Sequence, residues 1–205
     1  MPGIHDLWIF VLAGLALNLT PGPDTAYVIG RSLRSGARAG VVAALGIGAG
    51  CLVHIAAAAL GVSALIAASA AAFAAMKLIG AAYLVYLGLR MAFAAGTAAA
   101  PAAPLPTRPV FWQGFLTNVL NPKVALFFLA FLPQFIDADA PTKPLAFLAL
   151  GLIFNVNGTL WNVCVALFAA RAGRFANDRL RRWSDRALGA LFVGLGIRLA
   201  LTQRP

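Results

Sequence analysis

Glutamate is absent from this chain. Its acids are six aspartates, set against sixteen lysines and arginines in 205 residues. Charged residues make up 11% of the sequence, where a soluble globular domain carries about 25%. That deficit excludes an ordinary cytosolic domain and leaves few candidates for acid chemistry. Histidine and cysteine occur twice each. Cys51 and Cys164 both fall in apolar segments without CxxC or metal-ligand spacing, and read as small buried hydrophobes. No HExxH, GxSxG, phosphate-binding loop or dinucleotide fingerprint is present, so neither a soluble-type enzyme nor an ATP-driven pump is indicated. No cofactor is implied. The start, MPGIHDLWIFVLAGLAL, lacks a basic n-region and runs into Pro-Gly-Pro, which predicts a retained first helix in place of a cleaved signal.

What the chain does have is apolar length. It is 61% hydrophobic, with several runs near the roughly 20 residues that a membrane-spanning helix requires. The net charge of +10 does not point to nucleic acid, because the basic residues lie between apolar spans. The expected fold is an all-α integral membrane protein with six transmembrane helices, at about 5–30, 40–66, 70–93, 111–136, 145–169 and 186–203. An Ala/Pro-rich linker over 95–110 separates two three-helix halves, 1–94 and 111–205, of one membrane domain. The gaps read as loops: a turn near 31–39, a short polar one at 137–144 and a long basic one at 170–186. Arg31, Arg34, Arg38, Arg90, Arg108, Arg171, Arg174, Arg179, Arg181, Arg182 and Arg186 would share one side. The other holds at most Lys77, Lys143, Arg198 and Arg204. The positive-inside rule puts the arginine side in the cytoplasm and both termini outside. The stretch 171–186 fits either a topology determinant or an amphipathic, lipid-binding helix.

The first span contains an oddity, TPGPD at 20–24. A proline removes a backbone donor, and an unpaired carbonyl in lipid costs several kcal/mol. Gly14 and Asn18 precede this break; Gly114 and Asn118 precede a second, LNPK at 120–123, after an offset of 100 residues. Three spans per half would make the copies enter the membrane from opposite sides. That is the sequence form of an inverted repeat with broken first helices, which points to a midplane transport site. A packing kink is the plainer reading for either proline alone.

Several polar residues join these breaks. Asp24 is an intramembrane acid and also a candidate helix cap. Lys123 allows three readings: snorkelling to an interface, pairing with Asp24, or binding a carboxylate. His54 is either a hydrogen-bonded structural residue or a proton relay. On the fifth span Asn155, Gly158 and Asn162 share one face, with Asn157 and Trp161 as a neighbouring pair, for helix packing or for a polar cavity. Gly46 and Gly50 form a GxxxG pair suited to close helix contact, and Gly36–Gly40 belongs to the turn.

The stretches NLTPGPDTAYVIGRSLRSGARAGVVAALGIGAGCLVH and GFLTNVLNPKVALFFLAFLPQFI resemble the lysine-exporter superfamily, and within it the homoserine/threonine-exporter branch. The resemblance implies a bacterial inner-membrane exporter of amino acids, driven by the proton-motive force, in a lipid bilayer, with a homodimer as one assembly it allows. Its motifs fall on Pro21, Gly22, Pro23 and Asp24, and on Asn121, Pro122 and Lys123. With no glutamate in the spans, a dibasic cargo is disfavoured, and homoserine, threonine or another neutral amino acid is expected. Other cargo on the same architecture (a basic amino acid, a cation, a metal) and a scaffold without transport are the alternatives. In the expected mechanism the substrate carboxylate meets half-helix N-termini or Lys123, its ammonium meets Asp24 or backbone carbonyls freed by the prolines, and Asp24 exchanges the coupling proton.

Overall fold

The computed structural model describes residues 3–61, 70–94, 106–137, 140–174 and 178–201. Most of the linker expected at 95–110, and the end of the second span beyond residue 61, lie outside the described residues. So do residues 175–177 and most side chains of the basic stretch around them.

The described chain is helical. α1 covers Leu7–Leu19, α2 Pro23–Ala59, α3 Ala70–Ala94 and α4 Thr107–Val119. α5, Pro122–Leu126, runs on into a π-helical turn, Phe127–Phe131, and a 3-10 turn, Leu132–Phe135. α6 covers Lys143–Arg174 and α7 Asp178–Leu201. Both breaks expected from sequence are present. Thr20–Gly22 separates α1 from α2, with Pro23 in the first turn of α2, where its missing N–H is not needed. Leu120 and Asn121 separate α4 from α5, and the two segments are bent by 44°.

Two boundaries differ from expectation. The turn after the first span shrinks to a single residue inside α2, Gly36 at φ 79° and ψ −178°, a conformation that only glycine adopts readily. The basic gap at 170–186 is largely helix, because its leucines and arginines are good helix formers and α6 and α7 extend into it from both sides. Among the described residues two helices, α2 and α6, are long and apolar enough to cross a membrane, and a third span results if the bent α4–α5 pair is one. α1 is a shorter apolar helix.

Packing follows small residues. A Cβ on Gly46 would overlap the Phe111 carbonyl, one on Gly50 would sit 2.6 Å from the Phe115 carbonyl, and one on Gly114 2.6 Å from that of Ala43. α2 and α4 therefore touch backbone to backbone, as the GxxxG pair suggested. Gly88 and Gly189 bring α3 and α7 together in the same way. One core cluster joins Tyr27, Val28, Ala43 and Ile47 of α2 to Leu84, Val110, Ala166 and Phe192. A second, rich in phenylalanine, joins Phe10 and Ile55 to Phe127, Phe128, Leu150 and Phe154. Outside these, Trp8, Leu12, Leu52, Leu160 and Phe168 are exposed, an apolar exterior suited to lipid.

Candidate functional site

The site begins with two carbonyls that the prolines leave without a helical donor. In α1 the Leu17 carbonyl would accept from residue 21, and Pro21 has no N–H. Lys123 supplies the missing donor: its Nζ donates to Leu17 O at 2.6 Å and to Thr20 O at 2.7 Å. Its stem crosses Gly22, where a Cβ would lie 3.7 Å from Lys123 Cδ. In α4 the Asn118 carbonyl would accept from residue 122, and Pro122 has none either. That oxygen instead accepts from His54 Nε2 at 3.0 Å and from the Asn121 N–H at 2.9 Å. A carbonyl only accepts, so His54 carries its hydrogen on Nε2. Each break is thus closed by a side chain from elsewhere in the fold.

The side chains around the breaks connect to one another. Asn118 Nδ2 donates to Asp24 Oδ2 at 2.8 Å, joining the start of α2 to the end of α4. Asn121 is fully buried and caps α5, its Oδ1 accepting from the Lys123 N–H at 3.0 Å. His54 stacks on Phe128 with ring centroids 6.0 Å apart. The Lys123 ammonium is directed at the carbonyls that end α1. It makes no direct ion-pair contact with Asp24, but the two charges lie near enough to act on each other.

Several buried polar atoms have no protein partner: Asn18 Nδ2, Asp24 Oδ1, Asn118 Oδ1, Trp161 Nε1 and Asn162 Oδ1. Buried polar atoms are nearly always paired, so this concentration of donors and acceptors at the breaks and on α6 marks a place able to bind a polar group. Asn18 lies against Gly158, where a Cβ would be 3.0 Å from its Oδ1. Asn155 accepts from Thr159 Oγ1 at 3.4 Å and faces Gly48 of α2. The face shared by Asn155, Gly158 and Asn162 therefore turns toward α1 and α2. Asn157 is half-buried and makes no hydrogen bond to the break residues. No cluster of three His, Cys, Asp or Glu that could hold a metal occurs among the described residues.

A second polar group was not legible in the sequence. The Tyr27 hydroxyl lies 2.9 Å from Val110 O and 3.1 Å from Gln113 Oε1, and with one hydrogen it donates to one of them at a time. Arg31 donates through Nη2 to the same Gln113 oxygen and packs over the Tyr27 ring, 5.2 Å from its centroid. Tyr83 of α3 donates to Gln113 O at 3.2 Å. No local motif announces this group, since Gln113 is 82 residues from Arg31. The available signal was the helical spacing of Asp24, Tyr27 and Arg31 at i, i+3 and i+7.

Residues 15–203 match the family model for the LysE type translocator. The leucine efflux protein of Salmonella typhimurium strain LT2 is 30% identical over 210 residues, covering 98% of this chain and 97% of the relative. An uncharacterised membrane protein of Pseudomonas aeruginosa is 34% identical over 207 residues, covering 97% and 96%. A leucine efflux protein of Klebsiella pneumoniae is 29% identical over 206 residues, covering 98% and 97%. No solved structure matches significantly. With a family match across nearly its whole length and full-length relatives at 30% identity or more, this chain belongs to the LysE type translocators, a family of membrane transporters and not of enzymes.

Proposed function

We propose that this chain exports neutral amino acids across the bacterial inner membrane in exchange for protons. The observation that carries the reading is the meeting of the two broken helices, where Asn118 from one break holds Asp24 from the other. An acid in an apolar protein, tied across the repeat and with one oxygen unpartnered, is the group best suited to exchange a proton or meet an ammonium.

The architecture that gives this contact a purpose is six spans in two inverted three-helix repeats. Rocking of one half against the other would break and remake the Asp24–Asn118 contact, exposing the acid to each side in turn. Lys123 and His54 close the carbonyls that the prolines open, so the breaks can persist in an apolar protein. The partnerless atoms of Asn18, Asp24 and Asn118 offer a donor and two acceptors. A zwitterion, which carries both an ammonium and a carboxylate, fits them better than a simple cation does. Two of the relatives above are named for leucine efflux, which favours an aliphatic cargo over homoserine or threonine.

The test is efflux from preloaded proteoliposomes, with labelled leucine, threonine, homoserine and lysine, with and without an imposed proton gradient. Gradient-driven efflux of a neutral amino acid by wild type, lost in Asp24→Asn, is the expected result. Efflux that ignores the gradient would remove the antiport reading, and efflux of lysine alone would remove the cargo class.

A further inference from the structure

The group around Arg31 is not used by the mechanism above. Its chemistry is specific. Arg31 is half-buried, held over the Tyr27 ring and by the Gln113 amide oxygen. A guanidinium has five N–H donors, and one of these contacts Gln113. No carboxylate pairs with Arg31 among the described residues. A half-buried charge with no carboxylate partner among the described residues loses part of its hydration without recompense. If its task were only to join α2 to α4, a neutral amide would make the same hydrogen bond to Gln113 without that cost. A charge that only marked the cytoplasmic side would need no fixed geometry, whereas a planar fork held by a ring and an amide is the arrangement that grips a carboxylate through two parallel hydrogen bonds.

We propose that Arg31 is the entry station for the substrate carboxylate, and so a specificity-determining residue of the transporter. Asp24, Tyr27 and Arg31 form one stripe along α2, and seven residues of helix separate Asp24 from Arg31 by about 10 Å. The ammonium and carboxylate of an α-amino acid sit on one carbon, so a single substrate does not span that distance. The two charges therefore act in succession. Arg31, toward the Gly36 turn, takes the carboxylate first, and Asp24 takes the ammonium two turns further in. Tyr27 and Gln113 are positioning residues that hold the fork. This assignment rests on the amino-acid exporter reading.

The experiment is competition binding on purified protein in detergent. Labelled L-leucine is displaced by L-leucine or by L-leucinamide, which keeps the ammonium and loses the carboxylate. Wild type should prefer leucine to the amide by about tenfold or more, the scale of one charge-assisted hydrogen-bonded contact. Arg31→Gln should bind leucine about tenfold more weakly and lose the preference. Arg31→Lys, which keeps the charge without the fork, should fall between them. Size-exclusion profiles establish that both variants are folded. Unchanged leucine affinity and preference in Arg31→Gln would overturn the assignment. So would an equal loss for leucine and leucinamide, which is what a purely structural role gives. Wild type binding no amino acid at all would overturn the exporter reading, and the Arg31 assignment with it.

Discussion

Asp24 Oδ2 accepts a hydrogen bond from Asn118. An asparagine in its place still offers a carbonyl oxygen to the same donor but has no proton to exchange. Asp24→Asn should therefore insert and melt like wild type while losing gradient-driven efflux, a separation read by thermal unfolding beside the proteoliposome assay. Lys123 gives the opposite expectation. Lys123→Met keeps the stem over Gly22 and leaves the carbonyls of Leu17 and Thr20 without their donor. The Leu17 carbonyl is part-buried and the Thr20 carbonyl exposed, so the loss is about 1 kcal/mol, the low end of an unpaired acceptor's cost. This variant should melt slightly earlier, and Lys123→Arg should recover part of the loss. The prolines that require these donors were legible in the sequence, because proline acts on its own backbone and the residue four before it. The donors themselves were not. Nothing local links Lys123 to Leu17 or His54 to Asn118, since those partners meet only after the helices pack. The contacts of Arg31 were not legible for a related reason. Arg31 sits among arginines that mark a loop, and only the position of Gln113 on α4 shows that it folds back against α2.

Among the helices, α2 carries the most geometry in the fewest side chains. Gly36 divides it, and Gly46 and Gly50 seat it on α4. A Cβ at Gly36 meets nothing within 4 Å, so substitution there tests backbone conformation alone. At φ 79° and ψ −178° a side chain is strained by about 1–3 kcal/mol. Gly36→Ala should therefore lower the unfolding midpoint. Gly194→Ala in α7, with equally open surroundings and no positive φ, should not. Gly50→Val tests packing instead. Its Cβ would lie 2.6 Å from Phe115 O and 3.0 Å from Asn118 Cβ, so α4 must move away. Overpacking of this kind costs about 1–3 kcal/mol, and here it also shifts Asn118 relative to Asp24. Efflux should fall further than stability, which the unfolding midpoint and the efflux rate of one preparation separate. The GxxxG spacing made this contact readable in advance. The collapse of the first turn into Gly36 was not, because RSLRSGARAG carries strong helix formers on both sides of that glycine.

For the molecule as a whole, the inverted repeat makes a claim about sides. If each half holds three spans, the two broken helices enter from opposite faces, and the cytoplasmic end of one aligns with the external end of the other. Arg38, two residues past Gly36, and Arg108, in the first turn of α4, are exposed. So are His5 and Asp137, which pair at 2.9 Å beside the bridge between Ile4 and Ile136. The exposed start of α6 at Lys143 follows a few residues later. If the halves are inverted, Arg38 and Arg108 share the cytoplasmic side, and His5 and Lys143 the outside. Single cysteines at these four positions, in a chain with Cys51→Ser and Cys164→Ser, can be labelled with a membrane-impermeant maleimide in intact cells and in inside-out vesicles. Positions 5 and 143 should react in intact cells, and positions 38 and 108 only in inverted vesicles. Should 38 and 143 react from the same side, the intervening chain crosses an even number of times. The two breaks would then no longer face the membrane in opposite senses. The Asp24–Asn118 contact would remain as packing between two kinked helices, without the symmetry that alternating access requires.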